Sequence, residues 1–305
     1  MKRMITLLMA LFAMLCSPSS FGQKFITTAA DRNLAEKVMN SLLDAYSQGR
    51  DVQVSDLMVM AAEQLMGTPY VAGTLEEDPL HEQLRIYLTR TDCILFVETC
   101  LNLALTVRSG SSSFDDFASN VAKTRYRCKP PYSYGDRIHY TTEWIRRQEG
   151  VLKDITLDLG GEVNDHPIGF MSQNYKSYKQ LADADNIPRA ALDLKKITEV
   201  EEALNKEPMT FIPKSKVASA CGGIKSGDII CYVSGVKGLD IAHVAIAFVR
   251  DGRVGFIHAS QKDGKVEIDR QTIEEYVSSR SNLSGIKVVR PLCPTSSRRD
   301  HQAHC

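Results

Sequence analysis

The strongest constraint in this 305-residue sequence is a pair of apolar runs meeting at Asp251-Gly252. Residues His243 to Arg250 and Arg253 to Ser260 read as two strands around a two-residue hairpin turn, because Asp-Gly tolerates the positive φ such a turn demands. With those two residues in the turn, Arg250 pairs with Arg253, and the register runs back until His258 stands opposite Ala245. Side chains alternate along a strand, so residues 243 and 245 share a face. His258 therefore lies on the face of His243, one diagonal step away. That step is roughly 7–8 Å at Cα, within reach of two imidazole rings. Ala245, Ala247, Val249, Val254 and Phe256 fill the same face, and Val244, Ile246, Phe248 and Ile257 the other. Both faces are apolar, which predicts a central strand pair covered on both sides.

Further strands are expected at Ile229 to Val233, Val266 to Ile268 and Gly285 to Val289, introduced by the turn signals Gly227-Asp228 and Asp263-Gly264. The first part of the chain is helical by periodicity. Residues 31 to 47 carry Leu34, Val38 and Leu42, with Asp31 as the expected cap, and a second helix runs from about Ser55 to Met66. A third opens at Asp92 and carries Ile94, Leu95, Val97, Leu101 and Leu105; a short one follows with Phe114, Phe117 and Val121 on one face. Helices first and hairpin strands later argue an α+β fold built on an antiparallel sheet. Residues 129–215 are punctuated by proline and glycine, with a helix near Trp144, a strand near Ile155 and a charged helix from Lys195 to Asn205. No linker composition flanks them. They read as an insertion within one domain spanning 24–292, followed by a flexible tail over 293–305.

Lys+Arg and Asp+Glu are equal at 37 each. A nucleic-acid binder shows a basic excess, so that class of partner is not expected. Lys2 and Arg3, the apolar run Met4 to Cys16 and the small residues before Gln23 form a secretory signal peptide over 1–22. The apolar run is too short to span a bilayer, no later stretch is long enough, and an exported, periplasmic protein is expected. Lipidation at Cys16 is the alternative, disfavoured by the large Leu15 before it. Of eight cysteines, Cys16 leaves with the leader, and an odd number remains, so at least one thiol is unpaired within a single chain. Cys221 and Cys231 flank a turn and are candidates to bridge.

Two imidazoles on one strand-pair face, in a chain with an unpaired thiol, point to nucleophilic catalysis. A core histidine bonded to its neighbour is the plainer reading. A catalytic base needs a partner that fixes its tautomer, and His258 can accept from one nitrogen of His243 and leave the other for a thiol. Cys93 follows Thr91-Asp92, a good N-cap, and opens an apolar helix. A thiol there meets backbone N–H groups that favour thiolate and can hold a tetrahedral oxyanion. Cys100 falls mid-helix and reads as core, and Cys128, Cys221, Cys231 and Cys293 suit burial or bridging.

Gly67-Thr68-Pro69-Tyr70-Val71, Asp92-Cys93, Gly227-Asp228, His243-Val244-Ala245-Ile246 and Ile257-His258-Ala259-Ser260 resemble, in this order, the motifs of the NlpC/p60 cysteine peptidases, a papain-like family of cell-wall hydrolases. The family's endopeptidases usually carry Ser after the Cys; here Ile94 follows. This nucleophile helix resembles a Bacteroides-type branch instead. So do Arg137-Ile138-His139-Tyr140 leading to Trp144, Asp154-Ile155-Thr156 and Gly169-Phe170-Met171-Ser172. That branch comprises N-acetylmuramoyl-L-alanine amidases, which cut between the lactyl group of muramic acid and the first alanine of the stem peptide.

The resemblance implies a papain-like fold, Cys93 as nucleophile, His243 as base and His258 as its orienter. It further implies Tyr70 beside the thiol as oxyanion support, Asp92 as a substrate contact in addition to its capping role, and peptidoglycan fragments as substrate. Arg137, His139 and Tyr140 are candidates to bind the muramyl group or peptide carboxylates, since Arg suits bidentate carboxylate contacts. No metal or cofactor is expected: His-Glu-x-x-His and a phosphate-binding glycine loop are both missing from the sequence, and His301, His304 and Cys305 sit in a tail that nothing apolar anchors. Three alternatives stand beside the amidase: a γ-D-glutamyl-diamino acid endopeptidase, a non-catalytic peptidoglycan-binding protein, and a disulfide-stapled structural protein with Cys93 oxidised.

Overall fold

The computed structural model describes residues 25–48, 51–174 and 188–293. The expected signal peptide with Cys16, and the tail with His301, His304 and Cys305, lie outside the described residues. Among the described residues, no helix is long and apolar enough to cross a membrane.

Strand β1 (Phe25–Ile26) precedes helices α1 (Ala29–Ser47) and α2 (Val54–Gln64), and pairs in parallel with β2 (Leu84–Arg85). Helix α1 starts two residues before Asp31, because Thr28 is the cap. The Thr28 hydroxyl accepts from the Asp31 N–H, and the Asp31 carboxylate accepts from Thr28 N–H in return. The other Asp31 oxygen accepts from the N–H groups of Leu88 and Thr89, each at 2.8 Å. The expected cap is thus a tie between α1 and the segment that leads into Cys93.

Helix α3 (Cys93–Arg108) is buried nearly throughout and packs against α1, α2 and α4 (Phe114–Arg125). The following stretch holds α5 (Thr141–Arg147), β3 (Leu152–Asp154), β4 (Glu162–Asn164), α6 (Phe170–Asn174), α7 (Pro188–Leu204), β5 (Met209–Pro213) and α8 (Val217–Ala220). The charged helix starts at Pro188, ahead of the expected Lys195, since Pro suits a helix's first turn. The last part forms β6 (Ile229–Ser234), β7 (Ile241–Arg250), β8 (Arg253–Ser260), β9 (Lys265–Ile268), α9 (Ile273–Ser278) and β10 (Leu283–Pro291).

The main sheet runs β4-β5-β10-β6-β7-β8-β9, with β3 also on β10, and its pairings are antiparallel. The β7–β8 register is the one the Asp251-Gly252 turn dictates, from Arg250↔Arg253 to Ile246↔Ile257, and both turn residues have positive φ.

Alternation along the strands feeds two cores. Ile229, Cys231, Val233, Val244, Ile246 and Ile257 face α1–α3. Ile230, Tyr232, Ala245, Ala247 and Phe256 face the other way, onto α8 and α9 through Val217, Ile273, Tyr276 and Val277. Cys231 and Cys221 belong to opposite faces and both are free thiols, so the bridge considered between them is not formed. Gly227, at φ 85°, brings the start of β6 against α2; a Cβ there would stand 2.4 Å from the carbonyl oxygen of Ser55.

Candidate active site

Cys93 is the first residue of α3, and the Asp92 carboxylate caps that helix by accepting from Leu95 N–H at 2.9 Å. The capping loop is stitched to the far edge of the sheet. Gly67 N–H donates to Val266, Tyr70 N–H to Gly264 and Val71 N–H to Thr91, each at 2.8 Å, and Thr91 N–H returns to Pro69 at 3.0 Å. The Gly67–Val71 motif thus holds Tyr70 and the Cys93 approach in one frame.

Across the sheet, His243 on β7 and His258 on β8 meet as the hairpin geometry predicts. Nε2 of His243 lies 2.8 Å from Nδ1 of His258, with the rings edge to face at 83°. Tyr232 and Tyr276 stack against His243. His258 is 2% exposed. Cys93, His243, His139 and Tyr140 line one cavity of about 200 Å³, together with Leu75 and Trp144. A wider cleft of about 630 Å³ opens on the other side of His243, walled by His258, Asp269, Tyr276 and Arg280.

Electrostatics set the resting protonation. Burial first, and the Asp92 carboxylate second, push the Cys93 thiol up to about 12, against hydrogen bonds from the N–H groups of Val244, Ile94 and Cys93 itself. This corrects the expectation of a thiolate: the helix N-terminus favours the anion, but desolvation and a neighbouring carboxylate outweigh it. Burial, then His258 and Arg280, bring His243 down to about 3. Burial also lowers His258 to about 4, overriding the pull of Asp269. At neutral pH the cavity is lined by a neutral thiol and by an uncharged imidazole that is bonded to a second uncharged one.

The remaining expected residues fall into two sets. Tyr70 is pushed up to about 12 by burial and then by Cys93 and Asp92, so it stands beside both as a neutral phenol. His139 lies in the cavity wall, its Nε2 2.9 Å from the Tyr134 carbonyl; burial first, then Arg137, keeps it uncharged. Tyr140 gives its ring to the same wall, but its hydroxyl donates to Glu201 at 2.6 Å and accepts from Met171 N–H at 2.7 Å. Arg137 is 3% exposed and sits behind the wall. Its guanidinium donates to the Leu75 carbonyl at 3.1 Å and to Glu76 at 2.5 Å, and lies over the Tyr134 ring. Those partners take up both terminal nitrogens, and Arg137 bears on the cavity through Leu75.

Asp269 and Arg280 escaped the sequence reading. Asp269 follows β9, whose register places Glu267 opposite His258. Carrying that alternation two residues further puts 269 on the same face, a signal the sequence did contain. Arg280 lies two residues past α9, a helix that sequence periodicity had not marked, and stacks over Tyr276 at 3.3 Å. Among the described residues, no cluster of three or more His, Cys, Asp or Glu side chains is arranged to hold a metal ion.

Fold and site together define an α+β protein in which a helix-terminal thiol and a histidine of an imidazole pair open on one cavity. The model of the AmiA-like family, N-acetylmuramoyl-L-alanine amidase-like, matches residues 60–286, and the chain belongs to that family. It is similar to an N-acetylmuramoyl-L-alanine amidase from Bacteroides uniformis, at 31% identity and a TM-score of 0.66, over 78% of this chain and 99% of that one. It is also similar to a proposed xylanase from Bacteroides fragilis, at 31% identity and a TM-score of 0.64, over 75% of this chain and 98% of the other. A Legionella pneumophila protein at 21% identity and a TM-score of 0.59 shares the fold. Comparison with curated proteins gave no match.

Proposed function

We propose that this protein is a papain-like cysteine amidase of NlpC/p60 type that hydrolyses the bond between the muramic acid lactyl group and L-alanine in peptidoglycan fragments. The observation that carries the reading is the Cys93 thiol at the mouth of α3, sharing a cavity with a histidine whose Nε2 is bonded to a second histidine. Membership of the AmiA-like family and the likeness to the Bacteroides uniformis amidase supply the substrate class. In this reading residues 1–22 are a signal peptide and the reaction runs outside the cytoplasm, in one catalytic domain over 24–292 with its insertion at 129–215; the charged, apolar and small-residue pattern of the N-terminus supports it.

Because the resting thiol and imidazole are both uncharged, proton transfer accompanies attack. The Cys93 sulfur adds to the lactyl carbonyl carbon as its proton passes to Nδ1 of His243, the nitrogen not engaged by His258. The oxyanion is held by the N–H of Cys93 and the Tyr70 hydroxyl at the positive end of α3. His243 then gives the proton to the alanine nitrogen, and the stem peptide leaves. Water, deprotonated by the same ring, hydrolyses the thioester and frees the muramic acid carboxylate. His139 and Tyr140 line the pocket for the substrate, and Asp92 contacts it from the cap.

Mass spectrometry of muramyl-tripeptide incubated with wild type and with Cys93→Ala tests this. Free tripeptide and the muramyl acid from wild type alone are expected. Release of muramyl-dipeptide would move the cut to the γ-glutamyl bond. No product from any stem length would return the protein to a binding role.

A further inference from the structure

Taking Cys93, His243 and His258 as the machinery proposed above, we infer that Asp269 is a positioning residue that sets the tautomer of both imidazoles and so decides whether His243 presents a lone pair or a proton to Cys93. The Asp269 carboxylate is held by its own loop: Oδ1 accepts from Gln271 N–H at 2.7 Å, and Asp269 N–H donates to the Phe256 carbonyl at 3.1 Å. That leaves Oδ2 aimed at the histidine pair, 3.3 Å from Nε2 of His258. The approach is off the axis of a straight hydrogen bond, and that nitrogen has no other protein partner. It is also buried, so the carboxylate is the group positioned to satisfy it.

The consequence follows atom by atom. A carboxylate only accepts, so it selects the His258 tautomer with hydrogen on Nε2. Nδ1 of His258 is then an acceptor, and the nitrogen 2.8 Å away, Nε2 of His243, must donate to it. His243 is left with its hydrogen on Nε2 and a lone pair on Nδ1. Asp269 thus acts two rings away from the sulfur without touching the reacting atoms.

Asparagine at this position reverses the logic. Gln271 N–H keeps an acceptor at the Oδ1 place, which orients the amide so that its NH₂ occupies the place of Oδ2. An NH₂ there requires a lone pair on Nε2 of His258. That moves the His258 hydrogen to Nδ1, and the His243 hydrogen to the nitrogen facing Cys93. Alanine merely removes the preference. The isosteric Asp269→Asn is therefore expected to be worse than Asp269→Ala, the opposite of what a packing or folding role gives.

The test compares wild type, Asp269→Ala and Asp269→Asn by the rate of Cys93 alkylation with iodoacetamide at pH 8, located by peptide mass spectrometry, and by imidazole ¹⁵N shifts. Neither readout needs a substrate, so a wrong substrate assignment leaves them intact. Expected are an alkylation rate about tenfold down in Ala and about a hundredfold down in Asn, and a His258 hydrogen on Nε2 in wild type and on Nδ1 in Asn. Asn at or above Ala, or one tautomer in both, overturns the inference. If Ala does not fold, the tautomer comparison of wild type with Asn decides alone.

Discussion

Nε2 of His243 and Nδ1 of His258 are 2.8 Å apart, and neither ring carries a charge at neutral pH. One hydrogen therefore lies between them, and each ring fixes the orientation of the other. Removing the His258 ring leaves His243 free to turn from Cys93. His258→Ala is expected to lower kcat on muramyl-tripeptide by about a hundredfold or more with KM little changed. His258→Gln, whose amide oxygen can accept the same N–H, should keep more of the activity. Steady-state kinetics of the two variants check the ranking, and Gln no better than Ala would mean that His258 does not orient the base.

Acid conditions should separate activity from stability. Burial holds His243 near 3 and His258 near 4, against an ordinary 6.5. The acid limb of kcat/KM, which reports the free enzyme, is expected well below pH 6.5. Stability behaves differently. Below pH 6.5 the unfolded imidazoles take up protons while the folded ones do not, so the unfolded state binds more protons and stability falls as pH falls. The slope approaches about 1.4 kcal/mol per pH unit for each ring until the folded values near 3 and 4 are reached. Above pH 6.5 the contribution is fully present. Urea melts at pH 7.5, 6 and 5 should show the decline, and a flatter profile in His258→Gln. An acid limb at 6.5 would mean that the rings are not shielded.

Short-range rules made the centre of this fold legible. Asp251-Gly252 admits one register, so the β7–β8 pairing and the shared face of His243 and His258 followed from two turn residues. Asp92 before an apolar run located the start of α3 to the residue. The illegible parts depend on partners distant in sequence. Nothing near Arg137 says that Glu76 and the Leu75 carbonyl will occupy its guanidinium. The thiol's upward shift comes from how deeply α3 sinks into the core, which a dipole argument does not register. Short elements such as α9 and β4 are fixed by what covers them, and α9 carries the Tyr276 that walls the wider cleft, with Arg280 just past the helix end.

Asp92 has two effects that substitution can pull apart. Its oxygen caps α3 through Leu95 N–H, and its charge, second only to burial, raises the Cys93 thiol. Asp92→Asn keeps an accepting oxygen and drops the charge. Stability should change by less than about 0.5 kcal/mol, whereas Asp92→Ala, which loses the cap, should cost about 1 kcal/mol. The thiol of the Asn variant should ionise at lower pH, and alkylation of Cys93 should be several times faster. Denaturant titration and a pH series of alkylation rates check both halves, and an unchanged thiol profile would remove Asp92 from the account of the resting state.

A buried, matched pair of charges lines the cavity. Glu98, on the nucleophile helix, and Arg125, at the end of α4, are 4% and 5% exposed and both line the cavity that holds Cys93. Nε and Nη2 of Arg125 hold the Glu98 carboxylate, and Nη1 donates to the Arg85 carbonyl, which joins α3, α4 and β2 in one buried contact. Two desolvated charges roughly cancel their own cost while together, but Glu98 alone is left buried without its counter-charge. Arg125→Met should therefore destabilise by about 3–5 kcal/mol, while Arg125→Met with Glu98→Leu should recover most of that loss. Denaturant melts of the single and double variants read the difference directly. A double variant as unstable as the single would mean that the pair matters for the shape it gives the cavity wall, and that the unpaired charge is not the source of the loss.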